Sequence, residues 1–103
     1  MQDTLEEMTV GLRRAADAAA LGGARVEWAM TATTTVLRLT TAEYLAEVIA
    51  WSSGDLVAIV AHVPTGDYVL DEMTQGGART ARSHAALEKL FKWFGVSWND
   101  VNR

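Results

Sequence analysis

Tyr44-Leu45-Ala46-Glu47-Val48-Ile49-Ala50-Trp51-Ser52-Ser53-Gly54-Asp55-Leu56-Val57-Ala58-Ile59-Val60-Ala61-His62-Val63 is the stretch that decides the fold. Two runs rich in apolar, β-branched and aromatic residues flank Ser52-Ser53-Gly54-Asp55, where Gly54 can supply the positive φ of a tight turn. A β-hairpin follows, with one strand over 44–51 and the next over 56–63. In the second strand both alternating sets are largely apolar: Leu56, Ala58 and Val60 on one face, Val57, Ile59, Ala61 and Val63 on the other. A sheet with helices on only one side should show a polar face there. Either the helices, the chain ends or a second copy wrap that face, or it is a partner-binding surface.

Outward from the hairpin, the same alternation predicts two earlier strands. Arg25-Val26-Glu27-Trp28-Ala29-Met30 sets Val26, Trp28 and Met30 on one face, and Thr34-Thr35-Val36-Leu37-Arg38-Leu39-Thr40 alternates likewise. Pro64-Thr65-Gly66-Asp67 turns the chain into a fifth strand, Tyr68-Val69-Leu70-Asp71-Glu72-Met73. Before the strands, Thr4-Leu5-Glu6-Glu7 fits a capping box, and Asp3, Glu6 and Glu7 suit the positive end of a helix dipole. Leu5, Met8, Leu12, Ala15, Ala16 and Ala19 then form an apolar helical stripe, opposite Arg13, Arg14 and Asp17, that ends at Gly22-Gly23. After the strands, Thr74-Gln75-Gly76-Gly77-Ala78 is a loop, and a helix begins near Thr80 or Ser83. Its stripe is Ala86 or Leu87, Leu90, Phe91 and Phe94, with Arg82, Glu88, Lys89 and Lys92 turned outward and Gly95 as its stop; Ser97-Trp98-Asn99-Asp100 starts one further turn. The expected fold class is α+β: N-terminal helix, antiparallel meander of about five strands, C-terminal helix, in two layers.

With 103 residues the chain has the size of one domain, and 50% hydrophobic with 21% charged residues is ordinary globular composition. Lys and Arg total 9 against 13 Asp and Glu, a net charge of -4, which disfavours a sequence-independent grip on nucleic acid. The absence of cysteine excludes a disulfide framework, a thiolate nucleophile and a Cys-based zinc site. The N-terminal run is acidic where a secretory signal would be basic, and no stretch approaches the roughly 18 apolar residues of a membrane span. A cytoplasmic protein is expected, with no membrane partner.

Catalytic signatures are missing. His62 lies within a strand and His84 at a helix start, neither in a metal-ligand spacing, and both read as structural or solvated. Gly22-Gly23 and Gly76-Gly77 reproduce no phosphate-binding loop, and no G-x-S-x-G elbow occurs. No cofactor is expected. Glu43, Glu47, Asp55, Asp67, Asp71 and Glu72 are spread along strands and turns, as solvated faces usually are. The aromatic content is more telling. Trp28 and Trp93 are expected in the core, whereas Trp51, beside a turn, and Trp98, near a terminus, are less obviously internal. Aromatic rings flanked by carboxylates suit a surface that binds a basic protein, although Trp51 equally suits a cap on the core at its strand end.

The run from Tyr44 to Asp55, the turn His62-Val63-Pro64-Thr65-Gly66-Asp67-Tyr68-Val69-Leu70, and the closing helix with Leu87, Leu90, Phe91 and Phe94 together resemble the TriTu-type immunity proteins of bacterial polymorphic toxin systems. The resemblance covers residues 44–94. It implies an opening helix, a β-meander with a Trp-x-Ser-Gly turn and a Thr-Gly-Asp turn, and a C-terminal helix. It also implies neutralisation of a cognate antibacterial toxin domain, the best-known class being an ADP-ribosyltransferase acting on an elongation factor, delivered by contact-dependent or type VI secretion. On that basis the protein is expected to bind its toxin stoichiometrically and cover the substrate or NAD cleft, as a monomer or homodimer when free. Tyr44, Trp51, Asp55, Asp67, Asp71 and Glu72 are the candidate contacts. The alternative is a secretion chaperone or adaptor that holds an effector segment; neighbouring genes, toxin or secretion apparatus, discriminate the two.

Overall fold

The computed structural model describes residues 4–75 and 81–102, with the side chains of Thr4 and Ala81 excepted. Helix α1 (Thr4–Leu21) precedes strands β1 (Arg25–Met30), β2 (Thr34–Thr40), β3 (Tyr44–Trp51), β4 (Leu56–His62) and β5 (Tyr68–Thr74). Helices α2 (Ala81–Lys92) and α3 (Trp98–Val101) close the chain. The strands form one antiparallel sheet in the order β1-β2-β3-β4-β5, the expected meander. The Thr4 side chain, on which the capping box rests, Asp3, and the Gly76-Gly77-Ala78 connection lie outside the described residues.

Each turn has an identifiable cause. Gly54 takes φ 94° between β3 and β4, and the Trp51 N–H donates to the Asp55 carbonyl at 3.0 Å, closing the hairpin where the sequence placed it. Strand β4 ends at His62, one residue short of the expected Val63, as the chain enters the Pro64-Thr65-Gly66 turn. The register to β5 then slips by one residue between Val60 and Ala61, leaving Val69 as a bulge.

Both long helices pack on the same face of the sheet. Leu37 and Leu39 of β2, Ala46, Val48 and Ala50 of β3, and Leu56, Ala58 and Val60 of β4 are buried against them. The covering residues are Leu5, Met8, Leu12, Ala15, Ala16 and Ala19 from α1 and Ala86, Leu87, Leu90 and Phe91 from α2, as their periodicities predicted. Thr9 donates its hydroxyl proton to the Leu5 carbonyl at 2.7 Å, so the buried Thr35 hydroxyl donates to Thr9 at 2.8 Å. On the other flank the Thr74 and Ser83 hydroxyls meet at 2.8 Å, joining β5 to α2.

Two tryptophans exchange the places expected of them. Trp93 is 40% exposed and Trp98 only 3%. The buried stripe of α2 runs through Ala86, Leu87, Leu90 and Phe91, and Trp93 stands about a quarter turn from its centre, past the last helical residue. Trp98 is carried inward because Gly95, at φ 72°, ends α2 with the Val96 N–H donating back to the Phe91 carbonyl at 3.0 Å. Ser97 then caps α3, accepting from the Asp100 N–H. Glu88, expected to face outward, instead accepts from the Ser97 hydroxyl (3.3 Å) and the Asn99 N–H (3.0 Å) and holds the start of α3. Trp98 seats its ring over Gly11 of α1, where a Cβ would stand 2.9 Å from the indole Cη2. Gly11→Val is therefore expected to lower stability by about 2 kcal/mol through overpacking. An unchanged urea midpoint would show that the indole can give way.

Candidate binding surface

The register fixes what the opposite face of the sheet presents. Ala29, Val36, Ile49, Val57 and Met73 are successive cross-strand partners and make an apolar row over all five strands. Beside it runs a second row of Glu27, Arg38, Glu47, Ile59 and Asp71, and beyond that a third of Arg25, Thr40, Leu45, Ala61 and Tyr68. Among the described residues no helix lies on this face. Met73 is 61% and Tyr68 66% exposed, while Val36, Ile49, Val57, Ile59 and Ala61 are half-buried by one another. Such a run of contiguous apolar surface is what interaction sites expose. It answers the question posed by the two apolar sets of β4: one set is core, and the other is left bare by this chain.

A shallow groove of about 290 Å³ crosses the face between Arg38, Leu45, Glu47, Ile59, Ala61 and Tyr68. At its edge the Arg38 guanidinium donates to Glu47 through Nη2 at 2.7 Å and Nε at 3.3 Å. That hydrogen bond, then the Glu47 charge, with a smaller contribution from Glu27, hold Arg38 above its ordinary pKa. Arg38 and Glu47 thus neutralise each other, and the remaining charge of the second row comes from Glu27 and Asp71. The face is apolar, with Glu27 beside Arg25 at the β1 end and Asp71 at the β5 end.

The six candidate contacts do not form one patch. Trp51 ends β3 on the bare face, opposite Thr34, and Asp55 lies beside it in the β3–β4 turn. Asp71 is on the bare face of β5, opposite Ile59. Tyr44 begins β3 at the other end of the sheet, about 23 Å from Trp51 at the usual strand rise. Its ring points to the helix side, 4.9 Å from Trp93 and 5.4 Å from His62. Asp67 shares that end, in the β4–β5 turn, and is exposed. Glu72 is on the helix side, opposite Ala58, and pairs with Lys89 of α2 at 2.8 Å. Trp51, Asp55 and Asp71 therefore belong to the bare face or its margin, Tyr44 and Asp67 to one end, and Glu72 to the β5–α2 flank.

Leu45, Tyr68 and Met73 were not among the candidate contacts, although with Ile59 they supply much of the bare surface. The signal was present in the alternation of β4, but only the cross-strand register joins it to neighbours on β3 and β5. Among the described residues there is no group of three or more His, Asp or Glu side chains placed to hold a metal ion, and no helix long and apolar enough to cross a membrane. No protein-family model matches the chain, and no curated protein matches it, so the resemblance to TriTu-type immunity proteins rests on the hairpin, turns and closing helix quoted for it.

Proposed function

We propose that this protein acts by binding and not by catalysis, as an immunity protein that neutralises a cognate antibacterial toxin domain by stoichiometric occlusion. The observation that supports it most is the bare apolar row from Ala29 to Met73, with Asp71 beside it on β5 and Asp55 at its margin. A toxin whose cleft binds NAD or an anionic substrate presents a basic surface. Carboxylates at the margin speed encounter with such a surface, and desolvated apolar contact at the centre slows dissociation. Of the six candidates, this reading favours Trp51, Asp55 and Asp71, which lie on the bare face or its margin, and the net charge of -4 suits the same kind of partner.

Coexpression tests the proposal. Cells producing the toxin domain encoded next to this gene should survive only with this protein present, and the two should elute together at equal molar amounts. Death despite coexpression, or protection by catalytic amounts of the protein, overturns it. A secretion chaperone remains the second reading, favoured by a groove of about 480 Å³ between α1 and the β1–β2 hairpin, lined by Leu5, Thr9, Val10, Met30 and Thr35 among others. A chaperone would bind an unfolded effector segment and leave the folded toxin domain active.

A further inference from the structure

We infer that two copies of this chain pair through the free edge of β1, extending the sheet to ten strands. The meander is open, so β1 and β5 each have one edge without a neighbouring strand. The two edges differ. The β5 edge is broken by the Val69 bulge, a device that discourages further pairing, and two copies meeting there about its centre would set Asp71 against Asp71. Strand β1 is straight over six residues, with no proline, lysine or bulge.

Its backbone is set for addition. Thr31 N–H donates to the Thr34 carbonyl at 2.8 Å at the end of the β1–β2 ladder. Counting back by twos, Ala29, Glu27 and Arg25 bond to β2, so Val26, Trp28 and Met30 turn their N–H and C=O groups to the open side. The side chains select the occupant. Arg25 and Glu27 stand two apart on the same face, and both are exposed. An antiparallel pair of β1 strands with Val26 on the two-fold axis sets Arg25 of each copy opposite Glu27 of the other and Trp28 opposite Ala24, giving two identical ion pairs, with Met30 lying beyond the partner's strand opposite Gly22. With Glu27 on the axis, like charges meet; with Trp28 on it, both charges lose their partners. Met30, in β1 itself, is also exposed at this edge.

A single short edge buries less than the 1,200–2,000 Å² typical of stable interfaces, which puts the dimer among weak, concentration-dependent associations. Both copies keep their bare faces free on one side of the extended sheet, and the pairing can be measured without any toxin.

Sedimentation velocity from about 1 to 500 µM should show a monomer–dimer equilibrium. Arg25→Glu and Glu27→Arg should each weaken it at least tenfold with native circular dichroism, and mixing the two variants should re-form a heterodimer with affinity near wild type. The double variant R25E/E27R should dimerise with itself, which keeps the test in hand if Glu27→Arg, placed beside Arg38, does not fold alone. A wild type monomeric across the range, or a dimer indifferent to both reversals, or complementary charges that fail to restore pairing, overturns the inference.

Discussion

Trp98→Ala is expected to remove about 4 kcal/mol of stability, within the roughly 3–5 kcal/mol that truncating a buried tryptophan costs. The side chain is 3% exposed, and its ring stacks on Phe91 with centroids 5.7 Å apart and an interplanar angle of 22°. It meets the edge of the His84 ring at 6.2 Å and covers Gly11 of α1. Truncation would open a cavity where three helices meet, and the surroundings cannot collapse into it easily. Helix α3 has four residues, too short to persist by itself, and its other ties include Val101 packed on the core, the Glu88 contacts and the Asn102 side chain donating to the Gly11 and Trp98 carbonyls at 3.4 and 3.2 Å. A domain of this size has about 5–15 kcal/mol in all, so the midpoint of thermal unfolding should fall by roughly 15–30 °C. Urea unfolding followed by circular dichroism measures it. Partner binding at low temperature should survive, because Trp98 lies on the helix side of the sheet. A loss under about 1 kcal/mol would mean that the closing turn is dispensable to the core.

Ile49→Lys should weaken partner binding at least 100-fold, about 2.7 kcal/mol, while the protein stays folded. Ile49 is the middle of the apolar row, between Val36 and Val57, and it is half-buried. The lysine stem can lie along the same surface with its ammonium in water, so the free protein loses little. In a complex the ammonium would be buried against a basic partner. Trp51→Ala and Asp71→Ala should weaken binding less, and Glu72→Ala, on the helix side and paired with Lys89, should leave it unchanged. Isothermal titration of each variant with the toxin domain decides. If Glu72→Ala and Tyr44→Ala abolish binding while Ile49→Lys does not, the partner sits on the helix side or the sheet end, and the bare face has another use.

The candidate surface was only partly legible in the sequence. The hairpin was plain, because Gly54 and two β-rich runs are local signals. Both faces of β4 were visibly apolar, but that pattern is symmetrical: it shows that two surfaces exist and not which one the helices take. The six candidates were chosen by residue type and nearness to turns, and the register then separated Asp71 from Glu72, adjacent in sequence, onto opposite faces. Trp93 and Trp98 illustrate the same limit. A helical stripe can be read from spacing, whereas the wedge that admits Trp98 exists only after Gly95 reverses the chain and α1 brings Gly11 beside it.

The five strands to within one residue at the ends of β4 and β5, which stop at His62 and Thr74, the buried stripes of α1 and α2 and the order of the meander were determined by the sequence alone, because turn chemistry and the periods of strand and helix act over a few residues. Which face of the sheet stayed bare, which tryptophan entered the core and where Glu88 turned were decided only by the tertiary structure. Each depends on residues far apart in the chain competing for one apolar layer, and local pattern carries no record of that competition.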